Sequence, residues 1–133
     1  MKTKAINHVT LLVKNKEVAG KFFTDVLGFE KYDAGGPLWI KIGEQFIHIT
    51  DNSGEPRGNT FYHFAIEIED IVEFARMIID KGVKIFDLDN DQKEVLVNFD
   101  EVDPQKHFFI RDTDENLIEF VDSNNKFFNP KEV

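Results

Sequence analysis

The sequence predicts an α+β fold made of two βαβββ modules, and three observations carry that prediction. Two segments, "INHVTLLV" (6–13) and "FYHFAIEI" (61–68), each place a histidine third and follow it with alternating apolar residues. That alternation is the period of a half-buried strand. Each segment leads into a stretch with apolar residues at helical spacing that stops at a glycine. Gly28 comes 20 residues after His8, and Gly82 comes 19 after His63. Each half then closes with two apolar runs around a short turn, "WIKIGEQFIHIT" and "HFFIRDTDENLIEFV". A recurrence on this scale marks a duplicated unit.

Taken in order, Val9, Leu11 and Val13 form the apolar face of the first strand. In "VAGKFFTDVLGFE", Val18, Phe22 and Val26, with Leu27 beside them, form the stripe of the first helix, and Gly28 suits a left-handed C-terminal cap. In the closing strand Ile47 and Ile49 take one face; Phe46, His48 and Thr50 take the other. Residues 51–60, "DNSGEPRGNT", have Gly, Pro and polar residues without periodicity and read as a linker. The second half repeats the scheme. Phe64, Ile66 and Ile68 alternate, and Asp70 with Glu73 makes a capping-box-like helix start. Ile71, Phe74, Ala75 and Ile78 form the helical stripe, and Gly82 ends it. The Asp-rich stretch 87–104 is an insertion holding a short strand within "EVLVNF". In the last strand Ile118 and Phe120 share one face; Leu117, Glu119 and Val121 share the other. The expected organisation is one domain, 1–133, with a first module at about 4–50, a second at about 61–122 and a tail at 123–133.

The chain has 133 residues, of which 41% are hydrophobic and 14 are Phe, enough to bury a real core. A net charge of −9 argues against nucleic acid or an anionic membrane as partner, since phosphates are repelled. There is no cysteine, hence no disulfide, thiolate ligand or cysteine nucleophile. No apolar stretch approaches the ~20 residues that a membrane span needs. The N-terminus lacks the apolar core of a signal peptide, so a cytoplasmic protein is expected.

The repeat also aligns chemistry. Matching "FIH" with "LIE" sets His48 against Glu119, as His8 is set against His63. By strand parity all four point away from the helices. If the modules pair about a pseudo-two-fold axis, these positions converge in a concave, curved mixed sheet around a metal-binding cavity. Three imidazoles and a carboxylate suit a divalent Zn, Ni, Fe, Co or Mn ion better than Ca or Mg. Any one histidine on a strand is more often a surface or core residue. The coincidence of four matched positions is what favours a metal. His48 is the weakest member of the set as a ligand, with a proton carrier beside the metal as its alternative role. His107 reads as a polar wall residue or a plain surface histidine.

"INHVTLLVKN", "KFFTDVLGFE", "YHFAIEIEDI" and "FFIRDTDENLIEFVD" resemble the signature segments of the vicinal oxygen chelate superfamily. That group contains glyoxalase I, fosfomycin-resistance proteins, extradiol dioxygenases and bleomycin-resistance proteins. The resemblance covers about residues 4–122. It implies a glyoxalase-like fold of paired βαβββ modules, with metal ligands on the first and fourth strand of each, at His8, His48, His63 and Glu119. The turn "RDTDENLIEF" departs from the usual Asp-Pro-Asp-Gly-Asn, with Thr113 for the proline and Glu115 for the glycine; Asn116 is the residue expected to tolerate a left-handed turn. The shared chemistry is chelation of adjacent substrate oxygens by a metal acting as Lewis acid, with Glu119 and His48 as the catalytic side chains implied here.

The resemblance leaves several chemistries open. Isomerases and lyases of the glyoxalase type carry Glu or Gln where this chain has His48, and an imidazole keeps a base in that place. Extradiol dioxygenases match His8, His63 and Glu119 as a facial triad. Fosfomycin-resistance proteins share that triad and Thr10, but Phe109 stands where a tyrosine is expected and the tail offers Lys126 without an arginine. A lyase or isomerase ranks first. A bleomycin-resistance-like drug-binding protein is the non-enzyme alternative. Trp39, Tyr62, Phe127 and Phe128 line a pocket or a dimer seam in that case, and otherwise pack in the core. The expected partners are a small-molecule substrate and a second copy of the chain in a homodimer.

Overall fold

The computed structural model describes residues 1–51 and 61–128. The expected linker beyond Asp51 and the end of the tail, 129–133, lie outside the described residues. The first half contains β1 (His8–Val13), α1 (Lys16–Lys21), β2 (Glu30–Tyr32), β3 (Leu38–Ile42) and β4 (Gln45–Asp51). The second contains β5 (His63–Ile68), α2 (Ile71–Asp80), β6 (Phe86–Leu88), β7 (Glu94–Leu96), β8 (Phe108–Arg111) and β9 (Leu117–Asp122). The described residues form two compact units, 1–51 with 112–116 and 61–111 with 117–128.

Each unit has its own mixed sheet, in strand order β1-β4-β3-β2 and β5-β9-β8-β6-β7. In both, the first strand lies parallel to the last, and the remaining neighbours are antiparallel. A parallel pair cannot be closed by a hairpin, so a crossover carrying a helix is required in each half. The two sheets therefore share one topology. The insertion adds β7 at the edge of the second sheet, inside the "EVLVNF" segment.

The helices begin and end for local reasons. The Asn15 side chain accepts the Val18 N–H at 3.0 Å, and Asp70 accepts the Glu73 N–H at 3.1 Å. Both groups would otherwise be unpaired at a helix N-terminus. Gly28 and Gly82 sit at φ 77° and 89°, where a side chain is disfavoured. The stripe of α2 is the one read from sequence: Ile71, Phe74, Ala75 and Ile78 are all buried. The stripe of α1 is shifted by one residue. Ala19, Phe23 and Leu27 are buried, while Val18 is exposed. Two apolar pairs, Phe22-Phe23 and Val26-Leu27, allow either register. A wider turn over Phe22–Val26, with the Leu27 N–H bonded to the Phe22 carbonyl at 3.0 Å, settles on the one that buries Phe23 and Leu27.

In the first unit Leu11, Val13, Ile40, Ile47 and Ile49 join those helical residues in the core. In the second, Ile66, Phe108, Ile110, Ile118 and Phe120 lie under α2. A further cluster of Phe86, Phe109 and Leu117 lies apart from these, with Leu88 packed against it. Leu117 and Val121, on the face of β9 that carries Glu119, are also buried. Three of the four aromatic residues expected to pack do not. Tyr62, Phe127 and Phe128 are exposed, because they stand outside the strands and helices, before β5 and after β9.

The turn between β8 and β9 differs in one residue from expectation. The left-handed position is Glu115, at φ 68°, rather than Asn116. The Asp112 carboxylate explains this. It accepts the Asp114 N–H, the Asn116 N–H and the Asn116 amide at 2.9, 2.8 and 2.9 Å, which anchors Asn116 and leaves Glu115 to turn the chain. Burial pushes the Asp112 carboxyl above its ordinary value, although these hydrogen bonds oppose the shift.

Candidate metal centre

Each unit brings its own two candidate ligands close together. In the first, His8 opens β1 and His48 lies mid-strand in β4; their ring centroids are 6.4 Å apart. Trp39 stands opposite His48 in the β3–β4 register. It stacks on that ring at 4.5 Å and meets His8 edge-on at 5.2 Å. His8 donates from Nδ1 to the Asn7 Oδ1 at 2.9 Å, which leaves Nε2 as its free nitrogen.

In the second unit His63 opens β5 and Glu119 lies in β9, the strand paired with it. His63 Nδ1 donates to the Phe61 carbonyl at 2.7 Å. Its Nε2 stands 3.0 Å from Glu119 Oε1. With Nδ1–H committed, a close approach of Nε2 to a carboxylate requires a proton or a cation between them. An imidazole oriented by a backbone carbonyl on one nitrogen, with a carboxylate beside the other, is a pair of side chains that could hold a divalent metal, and equally a hydrogen-bonded ion pair.

Two further side chains belong to this cluster. Glu119 Oε2 accepts a hydrogen bond from His107 Nδ1 at 2.7 Å, and His107 Nε2 donates to Asp87 Oδ1 at 3.0 Å. Phe109 lies opposite Glu119 in the β8–β9 register. His63 and His107 meet its ring edge-on, at 5.2 and 5.1 Å. The sequence leaves His107 as either a wall or a surface residue and does not single out Asp87. The signal for His107 was parity: it is two residues before Phe109, on the same face, and that face looks across the hairpin at Glu119. Asp87 offered no such signal, because the register of β6 depends on the insertion. The hydrogen bond to Glu119 is the main reason that His107 titrates high, at about 8; burial opposes the rise, and Asp87 adds to it. For Glu119, burial acts upward, but hydrogen bonds and charge from His107 and His63 outweigh it and hold the carboxyl below its ordinary value.

A cavity of about 460 Å³ opens beside Glu119, His107 and Asp87. Val97 and Val102 of the insertion and Phe127 and Phe128 of the tail line it. Tail and insertion are tied together: Gln105 donates to the Asn124 carbonyl at 3.1 Å, the Lys126 N–H to Gln105 at 3.0 Å, and Asn125 to the Pro104 carbonyl at 3.3 Å. Among the described residues, no group of three His, Asp or Glu side chains is already arranged to hold a metal ion. No described helix is long and apolar enough to cross a membrane.

With this topology and these side chains in place, the class is defined. The chain belongs to the glyoxalase/bleomycin resistance protein/dioxygenase superfamily, whose family model matches residues 5–120. No curated protein matches the sequence. Among solved structures it is similar to a protein assigned to the glyoxalase family from Bacillus anthracis, at 25% identity and TM-score 0.67, covering 92% of this chain and 97% of that one. It also shares its fold with the fosfomycin resistance protein FosX from Listeria monocytogenes, at 18% identity and TM-score 0.64, covering 90% and 91%. The antibiotic binding protein TnmS3 from Streptomyces sp. CB03234 has the same fold, at 17% identity and TM-score 0.66, covering 92% and 98%.

Proposed function

We propose that the protein is a metal-dependent enzyme of this superfamily, acting as a lyase or isomerase on a small substrate with adjacent oxygens. His8, His63 and Glu119 are the ligands, and His48 is either a fourth ligand or a proton carrier. The observation that supports this most is the His63–Glu119 pair. One imidazole nitrogen is committed to a carbonyl, and the other faces a carboxylate at 3.0 Å. A divalent ion bound there supplies Lewis-acid polarisation of the substrate oxygens. His48, held flat against Trp39, keeps a fixed ring orientation for taking up and returning a proton. The residues lining the cavity beside Glu119 surround the substrate and exclude water. A homodimer is part of this reading, by analogy with the superfamily.

The test is metal analysis of purified protein and variants. His63→Ala and Glu119→Ala each abolish stoichiometric binding of Zn, Ni, Co or Mn, measured by elemental analysis and calorimetry. His48→Ala weakens it less. Retention of one tightly bound ion in both of the first two variants overturns the assignment. Isomerisation of hemithioacetals against dioxygen uptake with catechols then separates the isomerase from the extradiol reading. The exposed Phe127 and Phe128 at the cavity favour one competing reading, a drug-binding protein. Tight, metal-independent binding of a large cationic antibiotic is its signature.

A further inference from the structure

We infer that Asp87 and His107 are positioning residues for Glu119, fixing which carboxylate oxygen is presented beside His63 without binding the ion themselves. This inference rests on the metal reading above. Four observations carry it. First, both nitrogens of His107 face carboxylate oxygens, Nδ1 to Glu119 at 2.7 Å and Nε2 to Asp87 at 3.0 Å. A ring nitrogen that donates a hydrogen bond has no lone pair left for a metal. His63 also has both ring nitrogens on oxygens, but its Nε2 meets a single carboxylate and its Nδ1 a backbone carbonyl, whereas His107 spans two carboxylates.

Second, the bond to His107 uses Glu119 Oε2 and leaves Oε1 toward His63. The terminal torsion of a glutamate is broad and nearly two-fold. Without a partner on Oε2 the two oxygens exchange places freely, and an ion meets a carboxylate that must first be ordered. Third, the positioning ring is itself held. Asp87 Oδ1 also accepts the Leu88 N–H at 2.7 Å, and the edge of His107 rests on Phe109 at 5.1 Å. Fourth, Asp87 lies in β6 and His107 just before β8, two strands that neighbour each other beside β9. The chain Asp87–His107–Glu119 thus runs across adjacent strands of one sheet, and partners of this type change metal affinity by about 10–100-fold when removed.

The experiment titrates Co(II) and Zn(II) into metal-free protein and reads dissociation constants, stoichiometry and the Co(II) absorption spectrum. His107→Phe is expected to keep one ion per chain with about 10–100-fold weaker binding. His107→Gln, whose amide still donates one hydrogen bond to Glu119, is expected to recover part of that loss. Asp87→Asn weakens binding in the wild-type background and adds nothing in the His107→Phe background, because it acts only through the imidazole. Loss of stoichiometric binding in both His107 variants makes His107 a ligand and overturns the inference. So do unchanged dissociation constants, or additive effects in the double variant. The metal reading fails separately, if His63→Ala and Glu119→Ala bind ions as the wild type does.

Discussion

His107, which precedes an apolar strand, bridges two carboxylates, with Nδ1 on Glu119 at 2.7 Å and Nε2 on Asp87 at 3.0 Å. Its titration at about 8, above the ordinary 6.5, makes stability depend on pH. A raised folded-state value means that the stabilisation is fully present below 6.5 and is lost as pH rises through about 8. In metal-free protein the urea midpoint should fall over that window, and His107→Gln should flatten the fall. The His107 ring resonances should titrate near pH 8, and Glu119→Gln should bring them down. Backbone strain offers a second prediction at this scale. Gln92 holds φ 61° without being glycine. Gln92→Gly should raise stability by about 0.5–1 kcal/mol in urea denaturation, because relief of a left-handed strain of about 1–2 kcal/mol outweighs the about 0.4–1 kcal/mol of chain entropy that glycine adds to the unfolded state.

At the scale of elements, α2 and β9 show how much of a module follows from local rules. The cap at Asp70, the stripe of Ile71, Phe74, Ala75 and Ile78 and the stop at Gly82 are properties of consecutive residues, and all three were legible. Asp70→Ala should therefore cost about 1 kcal/mol of stability. Phe120 is fully buried and meets Phe74 at 4.7 Å and Phe108 at 5.6 Å. Phe120→Ala should cost about 3–5 kcal/mol in the same measurement. The α1 stripe was not legible to the residue. Adjacent apolar pairs satisfied two helical registers equally, and contact with the sheet chose between them. The β8–β9 turn shows the same limit: Asn116 has the better intrinsic tolerance of positive φ, yet Asp112 binds it and moves the strain to Glu115.

For the whole molecule, the charge of −9 sets a further expectation. Like charges repel in the compact state and salt screens them. The melting temperature should rise by roughly 2–5 °C between 10 and 200 mM NaCl, measured without metal; a fall would mean that attractive pairs dominate instead. The recurring order of strand, helix and closing strands was readable, because the two halves carry the same pattern of apolar residues and glycine stops. It made His8, His48, His63 and Glu119 candidates before any fold was known. What tertiary structure alone decided is how those residues are partnered: Trp39 against His48, the Phe61 carbonyl on His63, and Asp87 reaching Glu119 through His107. Periodicity tells which face of a strand a residue occupies, since that depends on its neighbours in the chain. Hydrogen-bond partners across strands depend on register and on an insertion with no counterpart in the first half, and only the folded sheet fixes those.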